Sequence, residues 1–264
     1  MNLPTTLVLG ALAGFTILLG LPVARLRHPS PAWQAFLTAA ATGILLFLLW
    51  DILTKANESI AAALEAARSG QPGTLLLRLV LFAGGLGVGL LSLVYVERRL
   101  TERGARQSDQ AEGASTRLAL TIATGIGLHN FSEGLAIGQA SRSGAIGLAA
   151  ILIIGFGLHN ATEGFGIAAP LTMSQQRPSW AFLARAGIIG GGPTFLGTAL
   201  GYGFQSEPVF VLCLALAAGS ILYVVSELLH VGRAYRQREL TMWGVFLGFL
   251  AGYLTDLLLA WGGG

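Results

Sequence analysis

The sequence GLHNFSEG at residues 127–134 returns as GLHNATEG at residues 157–164, so the pattern His-Asn-x-x-Glu-Gly occurs twice. Each copy lies in the middle of an apolar run. Residues four apart on an α-helix lie on the same face, and the histidine and glutamate of each copy therefore face the same way. A carboxylate near the centre of a membrane costs on the order of 3 kcal/mol. The two polar clusters consequently predict a functional site, because two such helices side by side can enclose a cation.

The composition is that of a membrane protein. Of the 264 residues, 53% are hydrophobic and 11% are charged, whereas soluble chains carry roughly 25% charged residues. Apolar runs of about 20 residues, long enough to cross a bilayer as a helix, recur along the whole chain. The sequence thus predicts an all-α membrane protein with one polytopic domain over residues 1–264, a compact bundle of eight transmembrane helices. The predicted spans cover residues 4–24, 33–54, 74–96, 116–139, 144–169, 181–203, 208–230 and 240–261.

The basic residues predict the orientation of these spans. Twelve of the sixteen Lys and Arg residues fall in or beside the loops after spans 1, 3, 5 and 7, and only Lys55, Arg68, Arg78 and Arg142 fall on the other side. Basic loops stay in the cytoplasm, so both termini are expected outside it. The cell (inner) membrane of a bacterium or archaeon is the expected location.

Two polar segments are expected to lie outside the membrane. Residues 97–115 hold little apolar material and are predicted to be a cytoplasmic linker. Residues 58–68, with Ile60 and Leu64 on one side, are predicted to form a short amphipathic helix on the outer surface. The Ser-Gly-Gln-Pro-Gly stretch at residues 69–73 would end that helix.

Several other classes of function find little support in the sequence. Cys213 is the only cysteine and lies in an apolar run, so neither a disulfide framework nor a thiolate metal cluster can form. The net charge of +3 comes with arginines in loops, where they orient the spans, so nucleic acid is not an expected partner. The expected surroundings are the lipid bilayer, and no resident cofactor is expected.

The two motif copies offer ligands for a metal ion. Imidazole nitrogen and carboxylate oxygen suit divalent first-row metals, Zn²⁺ first and Fe²⁺, Mn²⁺ or Co²⁺ after it. The amides of Asn130 and Asn160 add neutral oxygens beside the carboxylates. Successive spans are antiparallel, so an approximate two-fold axis in the membrane plane relates the two copies. Transporters built from inverted repeats bind their substrates near the midplane at such an axis.

The paired motif on two central helices of an eight-span chain, with both termini outside and a variable loop between spans 3 and 4, resembles the ZIP (Zrt/Irt-like) metal transporters. The bacterial GufA-like branch is the most similar in appearance, and the resemblance extends over essentially the whole chain. It implies movement of divalent metal, mostly zinc, into the cytoplasm, and it suggests a homodimer. It also implies a transport site between spans 4 and 5. The residues of that site would be His129, Asn130, Glu133, His159, Asn160 and Glu163.

Two departures from the family pattern bear on this site. Members usually carry a proline directly before the motif glutamate, where this chain has Ser132 and Thr162. Proline would free a backbone carbonyl and bend the helix, so straighter motif helices are expected here. Many members also place an acidic residue before a proline in span 6, where this chain has Gly192 before Pro193. The expected consequence is a single metal position, or a site that favours another ion.

Three further acidic residues lie in the apolar runs. Asp51, near the outer end of span 2, is expected either to attract cations to the entrance or to be solvated at a helix end. Glu227 lies in the sequence YVVSELLH, which resembles the acidic motif of the family's seventh span, and with His230 it is expected at an exit or secondary site. Asp256 is expected to reach the outer membrane surface. Asp51 and Glu227 complete the predicted set of metal-binding residues.

Three functions are compatible with these residues. The leading prediction is a transporter rather than an enzyme, and because metal and protons compete for His and Glu, its activity is expected to depend on pH. Fe²⁺, Mn²⁺ and Cd²⁺ stay open as substrates beside Zn²⁺, as does the coupling mode. The alternative is an intramembrane zinc-dependent hydrolase, although the sequence has no His-Glu-x-x-His motif. In the third function, the His and Glu pairs only hold helices together.

Overall fold

A computed structural model describes residues 1–26, 30–104, 110–144, 146–173, 177–204 and 206–262 of the chain. These residues form eight α-helices and three short 3₁₀ segments, and they contain no β-strand. The helices are α1 (Leu3–Phe15), α2 (Pro31–Arg68), α3 (Pro72–Gly104), α4 (Gln110–Arg142), α5 (Ile146–Ala168), α6 (Trp180–Gly203), α7 (Glu207–Ala234) and α8 (Arg238–Gly262). The 3₁₀ segments are Thr16–Leu19 and Leu21–Arg25 after α1, and Ala169–Met173 after α5.

Four of the helices begin at side-chain caps that can be read in the sequence. In each case a side-chain oxygen just before the helix accepts a hydrogen bond from the backbone N–H three residues on, which satisfies one of the donors left open at a helix start. The capping residues are Asn2, Ser30, Ser179 and Ser206. A proline in the first turn of α1, α2 and α7 favours the same starts, because its missing N–H would have no partner there.

Several of these helices have the length and hydropathy of membrane spans. In the described part of the chain, five segments are long and apolar enough to cross a bilayer. They are Leu3–Arg25, Pro31–Arg68, Pro72–Tyr95, Glu207–Ala234 and Arg238–Leu257. The chain is thus an all-α membrane protein, as predicted. The spans expected at α4, α5 and α6 stay a prediction.

The helices extend further than the sequence indicated. Helix α2 runs without a break through residues 58–68, so the separate surface helix predicted there is wrong. Five of its eleven residues are Ala and two are Glu, which favour helix, and nothing interrupts the helix before residue 69. Likewise α3 continues to Gly104 and α4 begins at Gln110, so both helices enter the linker predicted at 97–115. Residues 105–109 of that linker lie outside the described residues.

The packing sorts the helices into an inner and an outer group. Helices α2 and α7 are the most buried of the five candidate spans, while α3 and α8 leave most of their apolar surface exposed. The most extensive packing pairs α4 with α6, α2 with α8 and α3 with α7. A large apolar core joins residues of α2, α4, α5, α6 and α7 with the two 3₁₀ segments that follow α1. The polar motifs of α4 and α5 are therefore surrounded by helices rather than exposed on the surface of the bundle.

Candidate metal centre

Three ionisable side chains from the two motif helices come together inside the bundle. His129 Nε2 lies 3.1 Å from Glu133 Oε1 on the same helix and 3.9 Å from Glu163 Oε1 on α5. All three residues are buried, with exposed fractions of 2%, 5% and 2%. Buried ionisable groups are costly in a bilayer unless they meet one another or a ligand. The i, i+4 spacing accounts for the first contact, and the packing of α5 against α4 supplies the second.

Asn130 connects the two motif copies directly. Its Nδ2 donates hydrogen bonds to Glu163 Oε2 and to the carbonyl oxygen of Gly190 on α6, both at 3.0 Å. One amide group thus holds the α5 carboxylate in place from α4. The remaining oxygens, Asn130 Oδ1 and Glu133 Oε2, have no hydrogen-bond partner among the described residues. Such buried acceptors suit a cation, because a cation can satisfy them where no donor does.

The geometry is close to that of a metal site without being a complete one. Metal–ligand bonds of about 2.0–2.2 Å place neighbouring ligand atoms roughly 3–3.5 Å apart. The distance from His129 Nε2 to Glu133 Oε1 falls in this range, and that to Glu163 Oε1 exceeds it. As they stand, no three His, Cys, Asp or Glu side chains of the described residues form a preassembled metal centre. A closer approach of Glu163 Oε1 to His129 Nε2 would bring this second pair into the same range.

The asparagines of the two motif copies make matching hydrogen bonds to different helices. Asn130 donates to the carbonyl of Gly190 on α6, and Asn160 donates to the carbonyl of Ala13 on α1, each at 3.0 Å. Both asparagines are completely buried. Asn160 thus forms a hydrogen bond with the first membrane segment. Helix α1 packs beside α5 in the same way that α6 packs beside α4.

The motif glycines continue the same correspondence. A Cβ added at Gly134 would collide with the carbonyl oxygen of Thr194 on α6, and one added at Gly164 would collide with the carbonyl oxygen of Ile17. Each partner lies four residues after the carbonyl that the asparagine of the same copy binds. The glycine in each copy therefore lets a neighbouring backbone approach closely, and its role is in packing.

Helices α1 and α6 meet each other at an equivalent point. A Cβ on Gly14 would collide with the carbonyl oxygen of Gly191, and a Cβ on Gly191 would collide with that of Gly14. Such a reciprocal contact is what a two-fold axis between α1 and α6 produces. Together with the matching motif contacts, it gives the bundle the inverted-repeat character that the sequence predicted.

The helices pass through both motifs without interruption. Residues 110–142 and 146–168 are each one continuous α-helix. On α4, the Ser132 hydroxyl donates a hydrogen bond of 2.7 Å to the carbonyl oxygen of His129. A proline at this position would instead remove a backbone donor. Serine therefore leaves the motif turn of α4 intact.

A cavity reaches the candidate centre from one side of the bundle. It has a volume of about 110 Å³, and its lining includes His129, Glu133, Ala136 and Asp51. On the other side of His129, α4 contributes Ile122, Ile126 and neighbours to the apolar core, all with at most 1% exposure. The cavity thus lies on the side of His129 toward the end of α4, whereas toward its beginning α4 packs into the apolar core.

Other predicted ligands are distributed unevenly around the centre. Asp51 lines the same cavity and forms an ion pair of 2.6 Å with Lys55. His159 lies in α5, but its side chain lies outside the described residues. A Cβ added at Gly192 would have only Ile188 of its own helix within 4 Å, at 3.8 Å. A side chain at 192 would consequently point away from α4 and the paired motif.

Glu227 lies apart from the paired motif. Ser220 on α7 donates a hydrogen bond of 3.1 Å to the carbonyl of Gly125, one turn before His129. Leu214, which precedes Ser220, lines the cavity beside the motif. Glu227 lies two turns after Ser220, on the other side of it from Leu214 and about 10 Å along the helix. A separate role for Glu227, such as the exit site expected from the sequence, stays a prediction.

Two charged residues near the centre were not among the predicted ligands. Lys55, counted in the sequence only for orientation, lines the cavity beside His129 and Glu133. Asp256, expected at the membrane surface, instead lines a narrow cavity of about 20 Å³ together with Asp51, Lys55 and Glu133. The spacing of Asp51 and Lys55, four residues apart in an apolar run, was the available signal for the lysine. No signal in the neighbouring sequence predicted this position of Asp256.

Comparison with known proteins shows the family of the chain. The family model described as ZIP Zinc transporter matches residues 95–255, which include both motif copies. The chain belongs to the ZIP zinc transporter family. Relatives match over most of their length: "Zinc transporter ZupT" of Stenotrophomonas maltophilia (strain K279a) is 31% identical over 245 residues, covering 89% of this chain and 88% of the relative. "Zinc transporter ZupT" of Chlorobium chlorochromatii (strain CaD3) is 29% identical over 230 residues, covering 83% of each chain.

Membership in the ZIP family confirms the resemblance drawn from the paired motif, and the chain is a multi-pass membrane protein of a metal transporter family. The matched region begins at residue 95, so Asp51 and Lys55 on α2 lie outside it. These two residues are therefore interpreted from their own contacts.

Proposed function

We propose that this ZIP protein carries divalent metal ions, zinc first, from outside the cell into the cytoplasm through the centre formed by His129, Glu133 and Glu163. The observation that carries the proposal is the convergence of these three side chains from two helices at the closed end of a cavity. The names of the relatives, zinc transporters of bacteria, support zinc as the first ion to test. Fe²⁺, Mn²⁺ and Cd²⁺ are the competing ions.

The donor set fits an ion that binds and leaves. An imidazole nitrogen and two carboxylate oxygens bind zinc well, and the described residues add no thiolate that would hold it as a structural ion. Glu163 Oε1 lies 3.9 Å from His129 Nε2, so the site as it stands would bind a metal ion less tightly than one with ideal geometry. A transport site needs such moderate affinity, since its ion must also be released.

Because the cavity lies on only one side of the centre, transport requires a step that opens the other side. The cavity lies on the side that the basic residues predict to be external, and the apolar core that includes Ile122 and Ile126 closes the other side. We infer that metal reaches the centre from outside and that release inward follows a movement of α4 and α5 relative to their neighbours. Both termini would lie outside the cytoplasm, in the cell (inner) membrane.

Zinc uptake into proteoliposomes loaded with a fluorescent chelator tests the proposal. The purified full chain is expected to give saturable uptake, and His129→Ala and Glu163→Ala are each expected to lower it by at least about a hundredfold, because each removes a ligand from a buried site. Competition with Fe²⁺, Mn²⁺ and Cd²⁺ in the same assay ranks the ions.

A matched substitution outside the centre serves as the control. Glu65 is exposed on α2, so Glu65→Ala removes the same chemical group as Glu163→Ala and is expected to leave uptake unchanged. Circular dichroism and gel filtration check that every variant folds. Absence of uptake by the folded wild type, or equal uptake by the Glu163→Ala protein, would contradict the proposal.

A further inference from the structure

Lys55 brings a positive charge to the cavity that leads to the metal centre. Its Nζ lies 2.6 Å from Asp51 Oδ2, one turn earlier on α2, and 5.9 Å from the ring centroid of Phe156 on α5. The carboxylates of Asp51, Glu133 and Asp256 all attract this ammonium electrostatically. Three acidic residues and an aromatic ring from four helices thus surround one lysine.

The ammonium of Lys55 lies where a cation on its way from the surface to the centre would be expected. Lys55 and Glu133 line both the cavity that contains His129 and the narrower one that contains Asp256. Glu133 is 5% exposed, and its Oε2 has no hydrogen-bond partner within the described part of the chain. An ion that occupies either cavity beside Glu133 therefore shares it with the ammonium of Lys55.

A salt bridge with a purely structural role would not need this placement. An exposed Lys–Asp pair four residues apart on a helix stabilises that helix only weakly, wherever the pair lies. Here the lysine side chain is 40% exposed, and its long flexible stem allows the ammonium to move away from Asp51. A mobile cation held beside a carboxylate that binds metal competes with that metal.

We propose that Lys55 is a tethered counter-ion that occupies the entrance between Asp51, Asp256 and Glu133 and must be displaced before a metal ion binds. It thereby sets the apparent metal affinity of the centre. The inference rests on the proposed function in taking Glu133 as a metal ligand. It adds a residue on α2 that determines metal affinity, outside the part of the chain that the family model matches.

Equilibrium dialysis of the purified full chain with radioactive Zn²⁺ tests this role without requiring transport. Lys55→Met keeps the length of the side chain and removes its charge. Because a like charge near a dication weakens its binding, zinc is expected to bind the Lys55→Met protein about tenfold more tightly than the wild type. Lys55→Arg keeps the charge and is expected to stay within about twofold of the wild type.

Two further variants are controls for indirect effects on zinc binding. Arg68→Met removes a positive charge from the same helix at an exposed position, and it is expected to leave zinc binding unchanged. Lys55→Gln is a second neutral variant, which should bind zinc as tightly as Lys55→Met if charge is the cause. Equal affinities of wild type and both neutral variants would overturn the inference, as would tighter binding by Lys55→Arg.

The outcome also separates this inference from the proposed function. Tighter binding by Lys55→Met without uptake by the wild type supports the role of Lys55 and counts against transport. Uptake by the wild type with unchanged binding by Lys55→Met overturns the role of Lys55 alone. Folded protein that binds no zinc in any variant overturns both.

Discussion

Asn130 on α4 donates a hydrogen bond from its Nδ2 to Glu163 Oε2 on α5, and the same nitrogen donates to the carbonyl of Gly190 on α6. One buried amide therefore holds together three helices at the level of the candidate centre. It also orients a carboxylate that has to approach His129 for all three ligands to meet. Asn130 is thus in a position to act on metal binding through Glu163 as well as through its own oxygen.

Replacing Asn130 by alanine is expected to weaken zinc binding at least about tenfold. A hydrogen bond to a charged group contributes about 1.5–3 kcal/mol, and without it the Glu163 carboxylate loses its orientation. Equilibrium dialysis of the purified variant measures the change. Asn57 is exposed on α2, so Asn57→Ala is the matched control and is expected to bind zinc like the wild type. An unchanged dissociation constant for Asn130→Ala would show that the amide only holds helices together.

Conversion of Glu133 to glutamine separates ligand charge from helix packing. Glutamine keeps the size and hydrogen-bonding capacity of the side chain, so the variant is expected to fold normally. Because neutral amides are poor zinc ligands, we expect zinc affinity to fall by about a hundredfold. Uptake and dialysis measure the effect, with Glu65→Gln, at an exposed position, as the control. A Glu133→Gln protein that transports normally would remove Glu133 from the centre.

The one-sided cavity predicts which positions a water-soluble thiol reagent can reach. Ala136 lines the cavity, whereas Ala123, on the other side of His129, is completely buried. In a Cys213→Ser background, Ala136→Cys is expected to react with a small impermeant reagent applied from outside the cell, and Zn²⁺ is expected to slow the reaction. Mass spectrometry of the labelled protein measures both.

Ala123→Cys is the companion to this experiment and is expected to stay unlabelled. The background substitution removes the only native thiol, which is itself buried. Labelling of position 123 from outside with position 136 unreactive would reverse the predicted direction of access.

Adding a methyl group to the motif glycine Gly134 is expected to lower the stability of the bundle. The new Cβ would collide with the backbone of Thr194 on α6, which cannot move aside as a flexible side chain can. Overpacking of this kind costs about 1–3 kcal/mol, and thermal unfolding in detergent should therefore show a lower Tm. Gly87 on α3 has open space around its Cβ position, so Gly87→Ala should not lower the Tm. Equal Tm values for the two variants would contradict the close packing of α4 on α6.

Much of the site could be predicted from the motif itself. The i, i+4 spacing of His129 and Glu133 determines that the two side chains share a face, and the duplication of the motif indicates a partner helix with Glu163. Helix starts also have local signals, since a polar cap precedes each of α1, α2, α6 and α7. Helix ends were predicted less well. Helix α2, for example, continues beyond its apolar run, because polar residues can favour helix outside a membrane as readily as apolar residues do inside it.

The contributions of α1, α6 and α8 could not be predicted in the same way. Asn160 bonds the backbone of Ala13, and Asp256 shares a cavity with Lys55, although large sequence separations lie between the partners. No periodicity or spacing relates such residues, because their contacts depend on how helices pack after they form.

The sequence by itself determined the helical class, the membrane environment and the polar side chains that α4 and α5 each present, because hydropathy and helical periodicity are local properties. Only the tertiary structure decided that Asn130 holds Glu163, that the cavity lies on one side of His129 and that Lys55 lines this cavity. These features depend on the relative placement of whole helices. Backbone contacts such as that of Gly14 with Gly191 determine this placement through close packing.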